Sequence, residues 1–262
     1  MAITRTAAVA GQFYSGDADE LRRDVNEMLE RAGASEDSAP KAIIAPHAGY
    51  VYSGPVAASA YARLAPLRDV IKRVILLGPA HRVAVSGLAL SSADVFVTPL
   101  GSIRLDKEAE ADILDLPQVG VIDVAHAQEH SLEVHLPFLQ TVLADFSLVP
   151  IVVGDASPQQ VAEVLARLWD GPETLIVVSS DLSHYLDYDT ARERDSRTTQ
   201  AIEDLRYDAL NYDDACGRGP ISGLLYLAQQ KGLSVKAIDV RNSGDTAGSR
   251  DQVVGYGSYV VS

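Results

Sequence analysis

Three apolar runs in this chain each lead into a histidine. Ile43-Ile44-Ala45-Pro46-His47-Ala48-Gly49-Tyr50 is the first, Val74-Ile75-Leu76-Leu77-Gly78-Pro79-Ala80-His81 the second, and Leu175-Ile176-Val177-Val178-Ser179-Ser180-Asp181-Leu182-Ser183-His184 the third. Each apolar stretch is too short for a helix and reads as a buried strand. Polar residues with Gly or Pro then break it. Three strands that each release a histidine just past the C-terminal end can bring three imidazoles to one crevice. In open α/β sheets that edge is where ligands bind. Imidazole is the commonest metal ligand and the usual general base near neutral pH.

The rest of the pattern agrees with an α/β class. Asp17 or Asp19 caps a predicted helix running to about Arg31, with Leu21, Val25, Met28 and Leu29 on its apolar face. Residues 5–16 read as an ordered loop anchored by Phe13 and Tyr14, and Gly33 to Pro40 as a polar linker. A second helix is expected from Ser53-Gly54-Pro55 to about Leu64. Short strands at 87–90, 95–97 and 102–105 suggest an antiparallel excursion from the main sheet. Helical spacing is visible over Ser131–Ala144, where Pro137 predicts a kink or a later start. Further helices are expected at 107–114, from Ser157-Pro158 to Trp169, at 190–205 and at 220–231. Strands are expected at 148–153, 235–240 and 253–261. Strands alternating with helices predict one three-layer α/β domain over residues 1–262, with a mostly parallel mixed sheet.

Composition narrows the function classes. The 262 residues are 47% hydrophobic and carry a net charge of −14. Such acidity argues against nucleic acid or an anionic membrane as a partner. Cys216 is the only cysteine, so no intrachain disulfide can form. The segment Met1-Ala2-Ile3-Thr4-Arg5 has no signal-like apolar region, and no apolar run reaches the ~18 residues of a membrane span. The expectation is a soluble, cytoplasmic protein.

Chemistry is read from five places. His47 and His81 occupy matching positions beside Gly and Pro, and the match outweighs reading each as a loop histidine bonded to backbone. Asp181 and His184 can pair, the carboxylate fixing the tautomer of the imidazole, or Asp181 can simply cap a turn. Cys216 lies in Ala215-Cys216-Gly217-Arg218-Gly219-Pro220, ahead of a helix, where the helix terminus and Arg218 are expected to lower the thiol pKa. His126-Ala127-Gln128-Glu129-His130 matches H-x-x-E-H, a metalloprotease signature, but it requires a helix and a third ligand. Glu129 and His130 otherwise bond locally, and His130, Glu133 and His135 either line the crevice or face solvent. Tyr50, Tyr52 and Tyr185 are further candidate liners. The Asn242-Ser243-Gly244-Asp245-Thr246 loop reads first as turn chemistry, with Asp245 able to reach the same mouth.

Together these pieces resemble the Memo family. The matching segments are Gly11-Gln12-Phe13-Tyr14, Ala45 to Gly54, Leu77-Gly78-Pro79-Ala80-His81, Glu129 to Phe138, Ser179 to Tyr185, Ala215 to Pro220, and Asn242-Ser243-Gly244-Asp245. The resemblance implies a fold like that of class III extradiol dioxygenases, which hold non-haem iron with two histidines and a carboxylate. It implies His47, His81 and Cys216 as metal ligands, with His184 and Asp181 beside the metal as an acid/base pair. It implies iron or copper, with zinc possible, and redox chemistry on a small-molecule substrate. In microbes the family name attaches to component B of a system with an AMMECR-type protein and a radical SAM protein, the implied partners. Animal relatives are described as adaptors for phosphorylated peptides. A thiolate in place of the carboxylate is softer and itself oxidisable, so ring cleavage does not follow from the fold.

Three functions are therefore weighed. The first is a metal-binding, oxygenase-like redox protein. The second is a non-catalytic module that binds an anion or phosphopeptide at Arg218 and the helix beginning near Pro220. The third is peptide hydrolysis through His126, Glu129 and His130.

Overall fold

The computed structural model describes residues 2–33 and 40–262, so most of the expected polar linker, residues 34–39, lies outside the described residues. In chain order the elements are β1 (Thr4–Arg5), α1 (Ala18–Ala32), β2 (Ala42–Ala45), α2 (Tyr50–Tyr61), β3 (Arg73–Pro79), β4 (Leu88–Leu90), β5 (Val95–Thr98), β6 (Gly101–Arg104), α3 (Lys107–Ala111) and β7 (Val119–Val121). They continue with α4 (Asp123–Ala127), α5 (Leu136–Val142), β8 (Ser147–Val153), α6 (Pro158–Arg167), β9 (Thr174–Ser179), β10 (Asp181–Leu186), α7 (Tyr188–Glu203), α8 (Arg218–Lys231), β11 (Val235–Asn242) and β12 (Val253–Val261).

A nine-stranded mixed sheet forms the middle layer, in the order β10-β12-β2-β9-β3-β8-β4-β7, with β11 also paired to β12. The parallel pairs β2–β9, β9–β3 and β3–β8 make its centre. Antiparallel pairings flank it, through β12 on β2 and β4 on β8. Period-two alternation sends the strand side chains into two cores. Ile43, Val74, Leu76, Leu175 and Val177 face one, with α1, α2 and α5. Ile44, Ile75, Leu77, Ile176 and Val178 face the other, with α3, α6, α7 and α8. The expected α/β architecture is thus the observed one. Of the expected excursion, β4 joins the main sheet, while β5 pairs with β1 on one side and β6 on the other in a separate three-stranded sheet.

The sheet order positions the site. Strand β9 lies between β2 and β3, all three run the same way, and their C-terminal ends are adjacent. Residues far apart in sequence therefore converge on one edge.

The expected helix starts hold for α1 and fail for α2, which begins at Tyr50 ahead of Ser53, and for α5. Asp17 caps α1 as anticipated, accepting from the amides of Asp19 and Glu20. The helix expected from Ser131 begins only at Leu136, with Pro137 in its first turn, where a missing N–H costs nothing. The residues before it are spent on polar contacts. The Glu133 carboxylate is fully buried. It pairs with the Arg5 guanidinium and accepts from the Ala8 amide at 2.7 Å, the Val9 amide at 3.0 Å and the Tyr14 hydroxyl at 2.6 Å. Arg5 also donates to the carbonyls of His126 and Glu129. The N-terminal loop is therefore locked onto the 126–133 segment by an ion pair sealed from water.

Removing one partner of such a pair leaves a buried charge uncompensated. Arg5→Leu is expected to lower the unfolding free energy by about 3–5 kcal/mol. The double variant Arg5→Leu/Glu133→Leu should recover part of the loss, because neither charge is then stranded. Urea denaturation of the three proteins checks both statements.

Candidate metal centre

His47, His81 and Cys216 meet at the shared edge of β2, β9 and β3. One ligand atom from each lies within 4.8 Å of the other two. The Cys216 Sγ is 3.5 Å from His47 Nε2, and the two imidazole centroids are 5.1 Å apart. Cys216 reaches this point because Gly217 allows its loop to press on β9: a Cβ there would lie 2.4 Å from the Ser179 carbonyl oxygen.

Both histidines have one ring nitrogen already assigned. The Ser179 hydroxyl donates to the Ser131 carbonyl at 2.6 Å, which spends its single proton. Its contact with His47 Nδ1 at 2.5 Å therefore uses an Nδ1–H donor. His47 Nε2 is left with a free lone pair, turned toward the thiol. Glu129 does the same for His81. Its carboxylate accepts from His81 Nδ1 at 2.9 Å and from the His81 amide at 2.6 Å. Burial opposes ionisation of Glu129, but the His81 ring and the amides of His81 and Ser131 outweigh it and hold the carboxyl down at about 2. An ionised carboxylate only accepts, so His81 carries its proton on Nδ1 and offers Nε2. This carboxylate–histidine arrangement is the usual outer partner of a metal-ligating imidazole.

A second grouping, His81, Glu129 and His130, also brings ligand atoms within 4.8 Å. Here Glu129 Oε1 already takes N–H donors from His81, His130 and Ser131. It acts as an orienting carboxylate. The His130 ring stacks on His81 at 4.7 Å and is held edge-on by Phe13 at 4.9 Å.

Asp181 belongs to the same knot. Its Oδ1 accepts the His47 amide at 2.8 Å, Oδ2 lies 4.0 Å from His47 Nε2, and its own amide donates to Cys216 Sγ at 3.3 Å. Its hydrogen bonds thus go to the His47 loop and Cys216, whereas pairing with His184 was the expectation. His184 sits on β10, a strand antiparallel to β12, and not on a loop leaving β9. It remains close enough that its charge is felt at both His47 and Asp181. Burial and the surrounding imidazoles of His81, His130, His135 and His184 push the His47 pKa well below its ordinary value.

The expected low-pKa thiol is not found. Burial first, and the Asp181 carboxylate second, push Cys216 up to about 12. The Arg218 guanidinium is stacked 3.7 Å above the Tyr212 ring.

The other predicted liners divide. His81, Cys216 and Arg218 line a cleft of about 850 Å³, together with Tyr207 and Tyr212. Tyr50 is a core residue, its hydroxyl donating to the Val134 carbonyl at 2.8 Å beneath Tyr14 and Phe138. Tyr52 and Tyr185 are exposed and do not line that cleft. Asp245 accepts from Tyr188 Oη and the Asn242 amide and borders a separate hollow of about 270 Å³.

The protease-like motif comes apart. Helix α4 ends at Ala127, so no continuous helix carries both of its histidines. His126 donates from Nε2 to the Ala89 carbonyl at 3.0 Å and packs on Phe96, while His130 lies at the candidate centre. His135 is also internal, against the Tyr61 hydroxyl at 2.8 Å. The sequence reading missed Ser179, Ser131 and Glu129 as the groups that aim the ligands. Their signal was a polar residue at every other position of Glu129-His130-Ser131-Leu132-Glu133, unusual for a predicted amphipathic helix.

The chain matches the family model described as Memo-like protein over residues 5–260. A MEMO1 family protein of Methanosarcina barkeri is 38% identical, covering 98% of this chain and 99% of the relative. One from Aquifex aeolicus is 36% identical over 96% of this chain and 97% of its own. A crystal structure of an uncharacterised protein from Escherichia coli K12 shares the fold, with a TM-score of 0.51 and 12% identity. It covers 82% of this chain and 98% of that one. No helix among the described residues is long and apolar enough to cross a membrane.

The buried His126 generates a pH prediction. Burial lowers its pKa from 6.5 to about 4. The unfolded chain takes up the proton as pH falls below 6.5, while the folded chain resists until about 4. Stability is therefore lost across that interval and is flat above it, with a full effect on the order of 3 kcal/mol. His126→Gln, which keeps a donor for Ala89, is expected to show a shallower fall in urea midpoint between about pH 7.5 and pH 4.5 than the parent chain.

Proposed function

The chain belongs to the Memo family, and from that premise we propose that it binds a metal ion through His47 Nε2, His81 Nε2 and Cys216 Sγ, for redox or oxygenase-like chemistry on a small molecule in the adjoining cleft. The observation that carries the reading is the pair of imidazoles, each with Nδ1–H committed to an outer acceptor and each offering a ligand atom within 4.8 Å of the same sulfur.

The donor set fits a borderline-to-soft ion. Two imidazoles and a thiolate suit copper and zinc, and iron is accommodated less readily than by a two-histidine, one-carboxylate site. The absence of hard oxygen among the three argues against magnesium or calcium. When bound, such an ion supplies Lewis acidity or, for iron and copper, a redox couple. The protein's own part is orientation and proton handling. Ser179 and Glu129 fix the two rings. Asp181 fixes the His47 loop and touches the cysteine through its amide. His184, half-buried beside them, is the group placed to hold or release a proton at the rim. Cys216 is protonated in the metal-free state, so ligation displaces its proton and affinity rises with pH.

One observation favours a second reading. Arg218 has an unpartnered buried Nε, stacks on the exposed Tyr212 ring, and lines the same cleft. A guanidinium so placed is suited to a carboxylate or phosphate. An anion-binding role without catalysis uses Arg218 and not the metal.

Metal analysis of protein purified without a histidine tag separates the two. Parent chain is expected to hold about one equivalent of copper, iron or zinc, as a single site requires. His47→Ala, His81→Ala and Cys216→Ser should each lose most of it. Equal metal content in all four removes this ligand set. Phosphate binding that survives chelation and disappears in Arg218→Met supports the adaptor reading.

A further inference from the structure

The strand that carries His184 is irregular, and its irregularity has an identifiable holder. Between Asp181 and His184 there are three steps along β10 against two along β12, from Tyr256 to Val254. Between His184 and Leu186 there are two steps against one. Each extra residue breaks the ladder and leaves backbone groups without a strand partner, and such bulges re-aim the side chains next to them. The Ser183 amide is one such group. It is fully buried, where an unpaired N–H is costly. It donates at 3.0 Å to the Oδ1 of Asp195, a buried carboxylate in the middle of α7. The space for that carboxylate comes from Gly255 on β12, where a Cβ would lie 2.0 Å from Asp195 Oδ2. Beyond the bulge Tyr185 takes a left-handed backbone, φ 59°, with its side chain 70% exposed. A bulky residue in that region is strained and persists only where its surroundings impose it.

We propose that Asp195 is a positioning residue for His184: by accepting the Ser183 amide in the gap above Gly255, it holds the β10 bulge that turns the imidazole toward His47 and Asp181. The inference rests on the reading of His184 as the proton-handling group of the site. Asp195 itself touches none of the three proposed ligands. It acts through the backbone of its neighbour strand. A regular β10 would shift the alternation beyond Ser183 by one residue and send the imidazole to the opposite face of the sheet.

The experiment compares Asp195→Ala, Asp195→Asn and Gly255→Ala by NMR of the full chain. Chelator-treated protein is used, so that the outcome does not depend on the metal assignment. Asn keeps an oxygen acceptor for Ser183; Ala does not, and Gly255→Ala displaces the acceptor. The imidazole signals of His184, assigned with His184→Gln, are expected to move in Asp195→Ala and Gly255→Ala while those of His126 stay in place. Asp195→Asn should return them to near the parent positions. Exchange of the Ser183 amide should accelerate at least about tenfold in Asp195→Ala, the equivalent of losing one charge-assisted hydrogen bond. Unmoved His184 signals in Asp195→Ala, or shifts of equal size at His126 that Asn does not rescue, overturn the proposal. Metal content is read in parallel and is expected to be unchanged in all three variants. Metal loss in the parent chain's His47 and His81 variants bears on the proposed centre alone.

Discussion

The structure depends on one short segment whose two carboxylates and serine hydroxyl are buried and hydrogen-bonded. From Gln128 to Leu132 the chain forms no regular helix or strand, and a single 3-10 turn, Glu133–His135, leads into α5. Glu129 takes His81 and two amides, the Ser131 hydroxyl donates to the Pro79 carbonyl, the Ser131 carbonyl accepts from Ser179, and Glu133 takes Arg5, Tyr14 and two amides. The alternate residues supply these contacts, while Leu132 fills the core between them. Buried carboxylates of this kind are tolerated only when fully bonded, and full bonding fixes geometry. The segment thereby couples the N-terminal loop to the strand edge where the histidines emerge. Gly78 permits the coupling, since a Cβ there would lie 2.8 Å from the Ser131 hydroxyl.

The same buried polarity explains why His47, His130 and His135 stay neutral. Desolvation lowers the pKa of His47, His130 and His135, and mutual repulsion lowers that of His47 further. A neutral imidazole with a defined tautomer is what a metal or a proton acceptor needs. The cysteine is poised the other way, its thiol kept protonated by burial and by Asp181. His47 and Cys216 therefore carry little charge where they meet. A cluster of uncompensated charge at the same spacing would cost stability that this fold has no separate means to recover.

Much of this was legible in the sequence. Apolar runs gave the central strands, and Pro and Gly after them marked where β2 and β3 let go of His47 and His81. What could not be read was the order of strands. Nothing local to Thr174–Ser179 says that it pairs between Ala42–Ala45 and Arg73–Pro79, yet that placement brings Ser179 under His47. The Ser131 segment misled for a related reason. Leu132, Leu136, Leu139 and Val142 carry helical spacing, but the hydrogen-bond demand of Glu129, Ser131 and Glu133 overrides it until Leu136. Cys216 meets His47 and His81, but the low pKa expected from helix proximity is absent, because burial and the Asp181 carboxylate oppose it. Tyr50 failed as a pocket residue since only the packing shows its ring lodged against Phe138.

The third apolar run differs from the other two in an instructive way. β2 and β3 each deliver a histidine directly, whereas β9 delivers Ser179, Ser180 and Asp181, and its histidine arrives only after the chain has joined another strand. The middle strand thus supplies hydrogen-bond acceptors and the outer two supply the candidate ligands. That division follows from position. A central strand end is enclosed by both neighbours, so Ser179 bonds the His47 ring and Asp181 the His47 amide, while His81 beyond β3 lines the cleft. The Ser180 hydroxyl continues the pattern by accepting the Gly217 amide at 2.9 Å, which draws the cysteine loop down onto the same strand end. Two neighbouring serines at the end of β9 therefore constrain His47 and the Cys216 loop, through hydrogen bonds that no substitution at His47 or Cys216 would reveal.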